Sequence, residues 1–435
     1  ALGGGETHFG IRDMHNGALT TITDEFSVYT FLWSYDGSRL YYIENRLSGS
    51  AGEETESTGD ANDAYPYRLW VYDVASGESR TIADLPYASI AVSHRADEFL
   101  KKYHMGPEEI ALHRCTRSFL EEMGRGLRGE ETPVMMLPTY LTLEGELPRD
   151  RSVIVVDAGG TNFRSAVVTM TAGGPVIEDL TVQPMPGSRG AVTKEAFLDQ
   201  VSDILLPLTG KSRRVGLCFS YAAEILPNRD GRVVAISKQV QITGSEGMLL
   251  GEEISAALAA KGAPGVGFVV LNDTVAAVLG GVAGLEDEVF DGYAGLIYGT
   301  GVNTCYSERR ENIAKLSTPW PAASMLINME SGGFCGVPQG TFDRRLDAGS
   351  MDAGKCLYEK MVSGRYQGEV IYHALRQGAE DGLFSSGLAG ALRALDGLEL
   401  VEADAFAARP YGGGLLSAAC GSERDRELVY TIIDR

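Results

Sequence analysis

The sequence predicts an α/β fold with mixed sheets, preceded by a small all-β segment. Three observations predict it. From about Ala96 onward, short β-branched strands alternate with helical apolar patterns. Two of those strands run straight into glycine-rich turns, at Gly159-Gly160-Thr161 and at Gly299-Thr300-Gly301. The first 95 residues are instead rich in aromatic and β-branched residues, in alternating runs such as Arg39-Leu-Tyr-Tyr-Ile43 and Arg68-Leu-Trp-Val-Tyr72. The expected organisation is a β segment over 1–95 and an α/β region over 96–435.

The β segment carries an internal repeat. Ile11–Ile22 aligns with Val71–Ile82, with Asp13/Asp73, Gly17/Gly77, Thr21/Thr81 and Ile22/Ile82 coinciding, and each copy reads as strand, turn, strand. Between the copies, Trp33-Ser-Tyr-Asp-Gly37 resembles the hairpin of WD-repeat-like β-propeller blades. The resemblance spans about one and a half blades, fewer than the roughly four needed to close. A propeller-blade-like appendage is therefore expected, with a mobile polar loop at 48–64 and no catalytic constellation.

Beyond it, Leu112, Cys115, Phe119 and Met123 fall on one stripe of a helix that follows Gly106-Pro107-Glu108-Glu109. Strands are expected at 152–156, 165–169, 215–219, 267–271 and 295–298. Helices are expected near 194–206, near 249–261 and from Thr274.

The formal net charge of −21 disfavours a nucleic acid or an anionic membrane as partner, since both call for basic patches. Six scattered cysteines without a Cys-x-x-Cys pair read as reduced thiols. No run of about 20 apolar residues and no basic, apolar leader are visible, so a cytoplasmic setting is expected.

Chemistry-bearing residues cluster at strand ends. Asp157, closing an apolar strand, suits a hydrated Mg²⁺ beside phosphates, because that hard ion prefers oxygen and keeps most of its waters. The glycines after it let a backbone approach an anion, and Thr161, Asn162 and Arg164 add polar groups. Alone, that run reads equally as a β-turn. Asn272 and Asp273 end another strand, where α/β sheets place ligands, or else they cap the next helix. Glu330 and Glu359 are carboxylates able to accept hydrogen bonds from sugar hydroxyls, although Glu359-Lys360 also reads as a solvated helix face.

The ordered set resembles the eukaryotic-type hexokinase and glucokinase family of the actin-like ATPase superfamily, from about residue 96 to 435. It comprises Glu122-Met-x-x-Gly-Leu127, Met136-Leu-Pro-Thr-Tyr140, Asp157-x-Gly-Gly-Thr-Asn-Phe-Arg164, Gly244-Ser-Glu-Gly247, Asn272-Asp-Thr274, Gly299-Thr-Gly-x-Asn303 and Leu357-Tyr-Glu-Lys-Met-x-Ser-Gly-x-Tyr366. The resemblance implies a two-lobed actin-like (ribonuclease H-like) fold, with a small lobe of about 150–275 and a large lobe from 96–149 and 276–435. It implies ATP and Mg²⁺ as cofactors and a hexose, glucose first, as substrate. Asp273 would be the base acting on the sugar 6-hydroxyl, and Lys238 would stabilise charge near the transferred group. Ser220, Ser237, Lys238, Asn272, Asp273, Glu330 and Glu359 would hold the sugar. Asp157, Gly159, Gly160, Thr161, Asn162 and Arg164 would form the first phosphate loop, and Gly299, Thr300, Gly301 and Asn303 the second.

The chain departs from the family's pattern at Ala222 (usually proline), at Ser237 (usually threonine) and at Ser331 (usually tryptophan). The family also continues past the segment ending here at Arg435, into an adenosine-cradling part. A hexokinase fold lacking its C-terminal part is thus expected, and with it a kinase of reduced activity or a sugar-binding relic as the alternative.

Overall fold

The computed structural model describes residues 9–12, 19–23, 27–33, 39–45, 67–73, 76, 78–85, 88–145, 148–236, 240–284 and 290–435. It divides into two compact units, one of residues 1–106 with 374–435 and one of residues 107–373.

In the first unit, β1 (Phe9–Arg12) and β2 (Leu19–Thr23) form an antiparallel ribbon. An open antiparallel sheet follows, in the order β3 (Ser27–Trp33), β4 (Arg39–Asn45), β5 (Tyr67–Asp73), β6 (Glu78–Leu85). Both copies of the sequence repeat are therefore hairpins, with Arg12 opposite Leu19 and Asp73 opposite Glu78. The expected resemblance to a propeller blade is not sustained: no closed sheet and no propeller are present among the described residues. The physical reason is that Trp-Ser-Tyr-Asp-Gly reports a local chain reversal between β3 and β4, whereas a propeller needs several sheets around a channel. The polar stretch 48–64 lies outside the described residues.

Helix α1 (Ala88–Lys102) also belongs to this unit. Lys102 and Tyr103 at its end meet Asp381, at 2.5 Å and 2.9 Å. No helix among the described residues is long and apolar enough to cross a membrane.

The second unit contains every candidate site residue. It opens with α2 (Leu112–Arg128), whose stripe is apolar in sequence but buried only in part: Cys115 is buried, Phe119 and Met123 pack on the core, and Leu112 is 73% exposed. Helix α2 ends on Gly129 at φ 80, a left-handed cap. One turn earlier the helix runs against the segment leading into β7 (Leu137–Pro138). A Cβ on Gly126 would lie 2.5 Å from the Val134 carbonyl oxygen and 2.6 Å from Met136 Cγ.

Five strands make the main sheet: β8 (Ser152–Ala158), β9 (Asn162–Thr171), β10 (Gly174–Pro184), β12 (Arg214–Phe219) and β16 (Gly267–Leu271), in the order β10-β9-β8-β12-β16. The strands β8, β12 and β16 are parallel; β9 and β10 are antiparallel additions, so the sheet is mixed as the sequence indicates. Ile154, Val156, Leu217 and Phe219 alternate onto one face. There they pack with Phe197, Val201 and Leu205 of α3 (Lys194–Leu205) and with Ile254 and Leu258 of α4 (Leu250–Ala260). Asp230 organises that layer by accepting from the Gly251 and Glu252 amides at the start of α4. Two short pairs complete it, β11 (Val192–Thr193) with β15 (Ile242–Thr243) and β13 (Ala222–Ile225) with β14 (Gly231–Ala235).

A second, antiparallel sheet has the order β17 (Ala294–Tyr298), β18 (Val302–Arg309), β19 (Ser324–Asn328), β7. Pro138 sits on its edge strand, where a missing N–H costs nothing. Helix α5 (Asp273–Ala283) packs Val275 and Val278 against Cys305 and Leu326 of this sheet. Since α5 begins where β16 ends, it ties the ends of the first sheet to the second.

Replacing Gly126 with alanine should lower stability by about 1–3 kcal/mol, the usual cost of overpacking. Urea denaturation measures it; an unchanged midpoint would mean that α2 and the 134–136 segment part readily.

Candidate active site

The parallel register places the functional residues. Asp157 of β8 lies opposite Cys218 of β12, and Cys218 lies opposite Leu271 of β16. The next residues along the three strands include Ser220, Asn272 and Asp273, all outside the carboxyl ends of parallel strands, where α/β sheets take ligands. Ser220 is exposed, and its amide donates to the Ala158 carbonyl at 3.3 Å.

The first turn joins β8 to β9. Gly159 N–H donates to the Asn162 carbonyl at 3.1 Å, the Thr161 carbonyl accepts from the Met185 amide at 2.9 Å, and the Tyr221 hydroxyl donates to the Gly159 carbonyl at 2.9 Å. These bonds fix the loop while Thr161 stays exposed. Arg164 stands across the strand pair from Asp157, and Nη1 reaches Asp157 Oδ2 at 2.6 Å.

Asn272 is the N-cap of α5: Oδ1 accepts from the Thr274 amide at 3.0 Å and lies 2.6 Å from Thr274 Oγ1. This leaves the carboxamide nitrogen as the outward donor. Asp273, the first helical residue, is half-buried, and its Oδ1 accepts from the Thr274 amide at 2.8 Å. Burial pushes its carboxyl above the ordinary range, the backbone N–H groups pull it down, and the neighbouring Asp157 charge adds to the rise.

In the second turn, the Gly299 amide donates to the Gly301 carbonyl at 2.9 Å, and the Gly299 carbonyl accepts from the Gly364 amide at 2.7 Å. Gly301 has a packing reason to be glycine: a Cβ there would sit 2.7 Å from Glu359 Oε2. That oxygen accepts from the Val302 amide at 3.0 Å, so the turn and Glu359 hold each other.

Glu330 adopts a left-handed backbone (φ 56, ψ 46) just after β19. Its Oε1 accepts from Asn328 Nδ2 at 2.8 Å, and Asn328 Oδ1 accepts in turn from Asn303 Nδ2 at 2.7 Å. Burial raises the Glu330 carboxyl, and the nearby Asp273 and Glu359 charges raise it further against the pull of Asn328. Asn303 is spent on scaffold contacts at both ends of its amide, because Oδ1 also accepts from the Thr304 and Ser331 amides at 2.7 Å and 3.3 Å.

Asp157, Gly159, Gly160, Thr161, Asn162, Arg164, Ser220, Asn272, Asp273, Gly299, Thr300, Gly301, Asn303, Glu330 and Glu359 all lie within one unit. Ser237 and Lys238 lie outside the described residues. Motif reading missed Asn328, which links Asn303 and Glu330 and lies 3.2 Å from the Thr274 hydroxyl. The available signal was an asparagine closing an otherwise apolar strand. It also missed Tyr221, and the solvated helix face that it offered as the alternative for Glu359-Lys360 does not hold for Lys360, which is 1% exposed.

No group of three or more metal-ligating side chains is found among the described residues. Asp157, an oxygen donor at the mouth of the first turn, suits an ion held mainly by phosphate and water rather than by a protein cage.

Two family models, both described as hexokinase, match this chain, one over residues 95–282 and the other over 293–408. Residues 95–282 and 293–408 are each similar to the hexokinase family. Hexokinase-3 of Mus musculus is 31% identical over 286 residues, 62% of this chain and 30% of that protein. Hexokinase-1 of Schizosaccharomyces pombe is 31% identical over 296 residues, 65% of this chain and 60% of that protein. The chain therefore spans about a third to three fifths of the curated hexokinases it matches. A solved hexokinase from Schistosoma mansoni, complexed with glucose, shares the fold with a TM-score of 0.63 at 22% identity, over 80% of this chain and 82% of that one. A second hexokinase structure gives 0.61 at 20% identity.

The raised Glu330 carboxyl sets a pH dependence. Its folded form binds the proton more tightly than the unfolded chain does, so its contribution to stability is fully present at low pH. It is lost as pH rises through the window between the ordinary and the raised value. Glu330→Gln should therefore stabilise the protein at pH 7 and give no benefit at pH values below the ordinary carboxylate range. Thermal denaturation across pH decides it; a destabilised variant at pH 7 would show that the ionised form is favoured.

Proposed function

We propose that this chain is an ATP-dependent hexose kinase, transferring the γ-phosphate of Mg-ATP to the 6-hydroxyl of a hexose, with glucose as the first candidate. The single observation that carries the proposal is the half-buried Asp273 carboxylate. It is held at a helix start beside Asn272 and coupled electrostatically to Asp157 on one side and to Glu330 on the other. The matches to two hexokinase family models and the glucose named with the Schistosoma mansoni structure support it.

Asp273 takes the proton of the 6-hydroxyl; its raised affinity for a proton suits a base. Glu330 and Glu359 accept from other sugar hydroxyls, Asn272 Nδ2 and Ser220 add polar contacts, and Ser237 and Lys238 complete the set. Bound at the turns 159–162 and 299–301, Mg-ATP would supply the phosphoryl group and the neutralising charge. Asp157 is the residue that would face the ion through water, with Arg164 holding its carboxylate in place. Asn303, just after the second turn, is held to Asn328, Thr304 and Ser331. Closure of a small lobe (about 150–275) on a large lobe (96–149 and 276–435) is part of the proposal, and it would exclude the water that competes for ATP. So is a cytoplasmic setting, which the six free thiols support.

The test is ADP release with Mg-ATP and glucose, in wild type and in Asp273→Ala. Glucose-dependent turnover that falls by at least about 100-fold in the variant is expected. Absence of glucose-dependent turnover in the folded wild-type chain would overturn the proposal.

A further inference from the structure

Lys360 directly follows Glu359 on α7 (Leu357–Val362), a six-residue helix. Helices this short do not persist without tertiary support. Its N-cap, Cys356, makes no side-chain cap and holds a left-handed backbone at φ 51. Support comes from the buried ammonium. Lys360 Nζ lies 2.7 Å from Asp347 Oδ1, 2.9 Å from Ser350 Oγ and 3.0 Å from both the backbone oxygen and Oδ1 of Asp352. Asp347, on α6 (Thr341–Gly349), also accepts from the Gly354 amide at 2.9 Å. The loop leading into α7 is therefore wrapped around one cation. Burial would depress the Lys360 pKa, but the Asp347 and Asp352 carboxylates outweigh it and the value is raised, so the ammonium stays charged.

From the preceding position on the same helix, Glu359 reaches the Val302 amide beside the second glycine turn. We propose that Lys360 is a positioning residue: by anchoring α7 to the 347–354 loop, it sets the carboxylate of Glu359 for the hexose. The carboxylate's orientation is set by where α7 is held, and the Lys360 cluster is the charged anchor among the contacts that hold it. Backbone bonds from Tyr358 to Phe334 and from Gly364 to Gly299, at 2.9 Å and 2.7 Å, locate the helix, and the Lys360 cluster fastens the loop that enters it. The sugar part of this inference rests on the reading of Glu359 as a hexose ligand.

The experiment uses the full chain with Lys360→Met and with the double variant Asp347→Asn/Lys360→Met. Two quantities are read: amide hydrogen exchange at Val302, and the separate KM values for glucose and ATP. Losing a hydrogen bond to a charged group should raise Val302 exchange about tenfold or more in both variants, with the β8–β9 amides unchanged. The KM for glucose should rise about tenfold while that for ATP stays within about twofold. The double variant leaves no unpaired Asp347 charge and should recover thermal stability without recovering the glucose KM. Unchanged Val302 exchange in the two variants would overturn the positioning role, as would a glucose KM that returns with stability. If wild type turns over no hexose, the hexose-ligand reading fails on its own, and Val302 exchange still decides whether Lys360 positions Glu359.

Discussion

The arrangement depends on holding carboxylates close together, away from bulk water, without an equal number of cations. Asp157, Asp273, Glu330 and Glu359 influence one another in sequence, and Asp273 and Glu330 hold their protons more tightly than free carboxyls do. Such crowding is unfavourable unless each carboxylate has a donor. The donors are mostly neutral: the Thr274 and Val302 amides, the Asn328 carboxamide, and for Asp157 the Arg164 guanidinium. A ligand offering several hydroxyl donors would meet acceptors that are only partly satisfied.

The fold supplies those positions through register rather than through loops of chance shape. Three parallel strands end level with one another, so residues far apart in sequence share one rim. Helix α5 then carries that rim to the second sheet, where Asn303, Asn328 and Glu330 form a chain of side-chain hydrogen bonds. The second glycine turn is locked by Glu359 and by the backbone at Gly364. Asp157, Asn272, Asp273, Asn303 and Glu359 are therefore carried by strands or helix starts, which ties much of the geometry to regular structure.

Much of this was legible in the sequence wherever one residue type announces a local need. An acid after a β-branched run, glycines after a strand and Asn-Asp at a helix start all mark strand ends, and the structure puts Asp157, Gly299 and Asn272 there. What stayed hidden depends on contacts between distant segments. Asn328 looks like any polar strand end until Asn303 and Thr274 are placed beside it. Lys360 after Glu359 looks solvated, and its burial follows from a loop 8–13 residues earlier in the chain. The N-terminal segment shows the opposite failure. Its hairpin signals are local and correct, but a blade is defined by neighbours that a hairpin motif does not encode.

The most direct measurement of the central claim is calorimetric titration of the full chain with glucose near pH 6, in two buffers of different ionisation enthalpy. Sugar hydroxyls that donate to Glu330 and Asp273 would favour the ionised carboxylates, so the account predicts binding with net release of protons, growing as pH falls from 7.5 to about 5.5. Absence of binding, or binding with proton uptake, would contradict it.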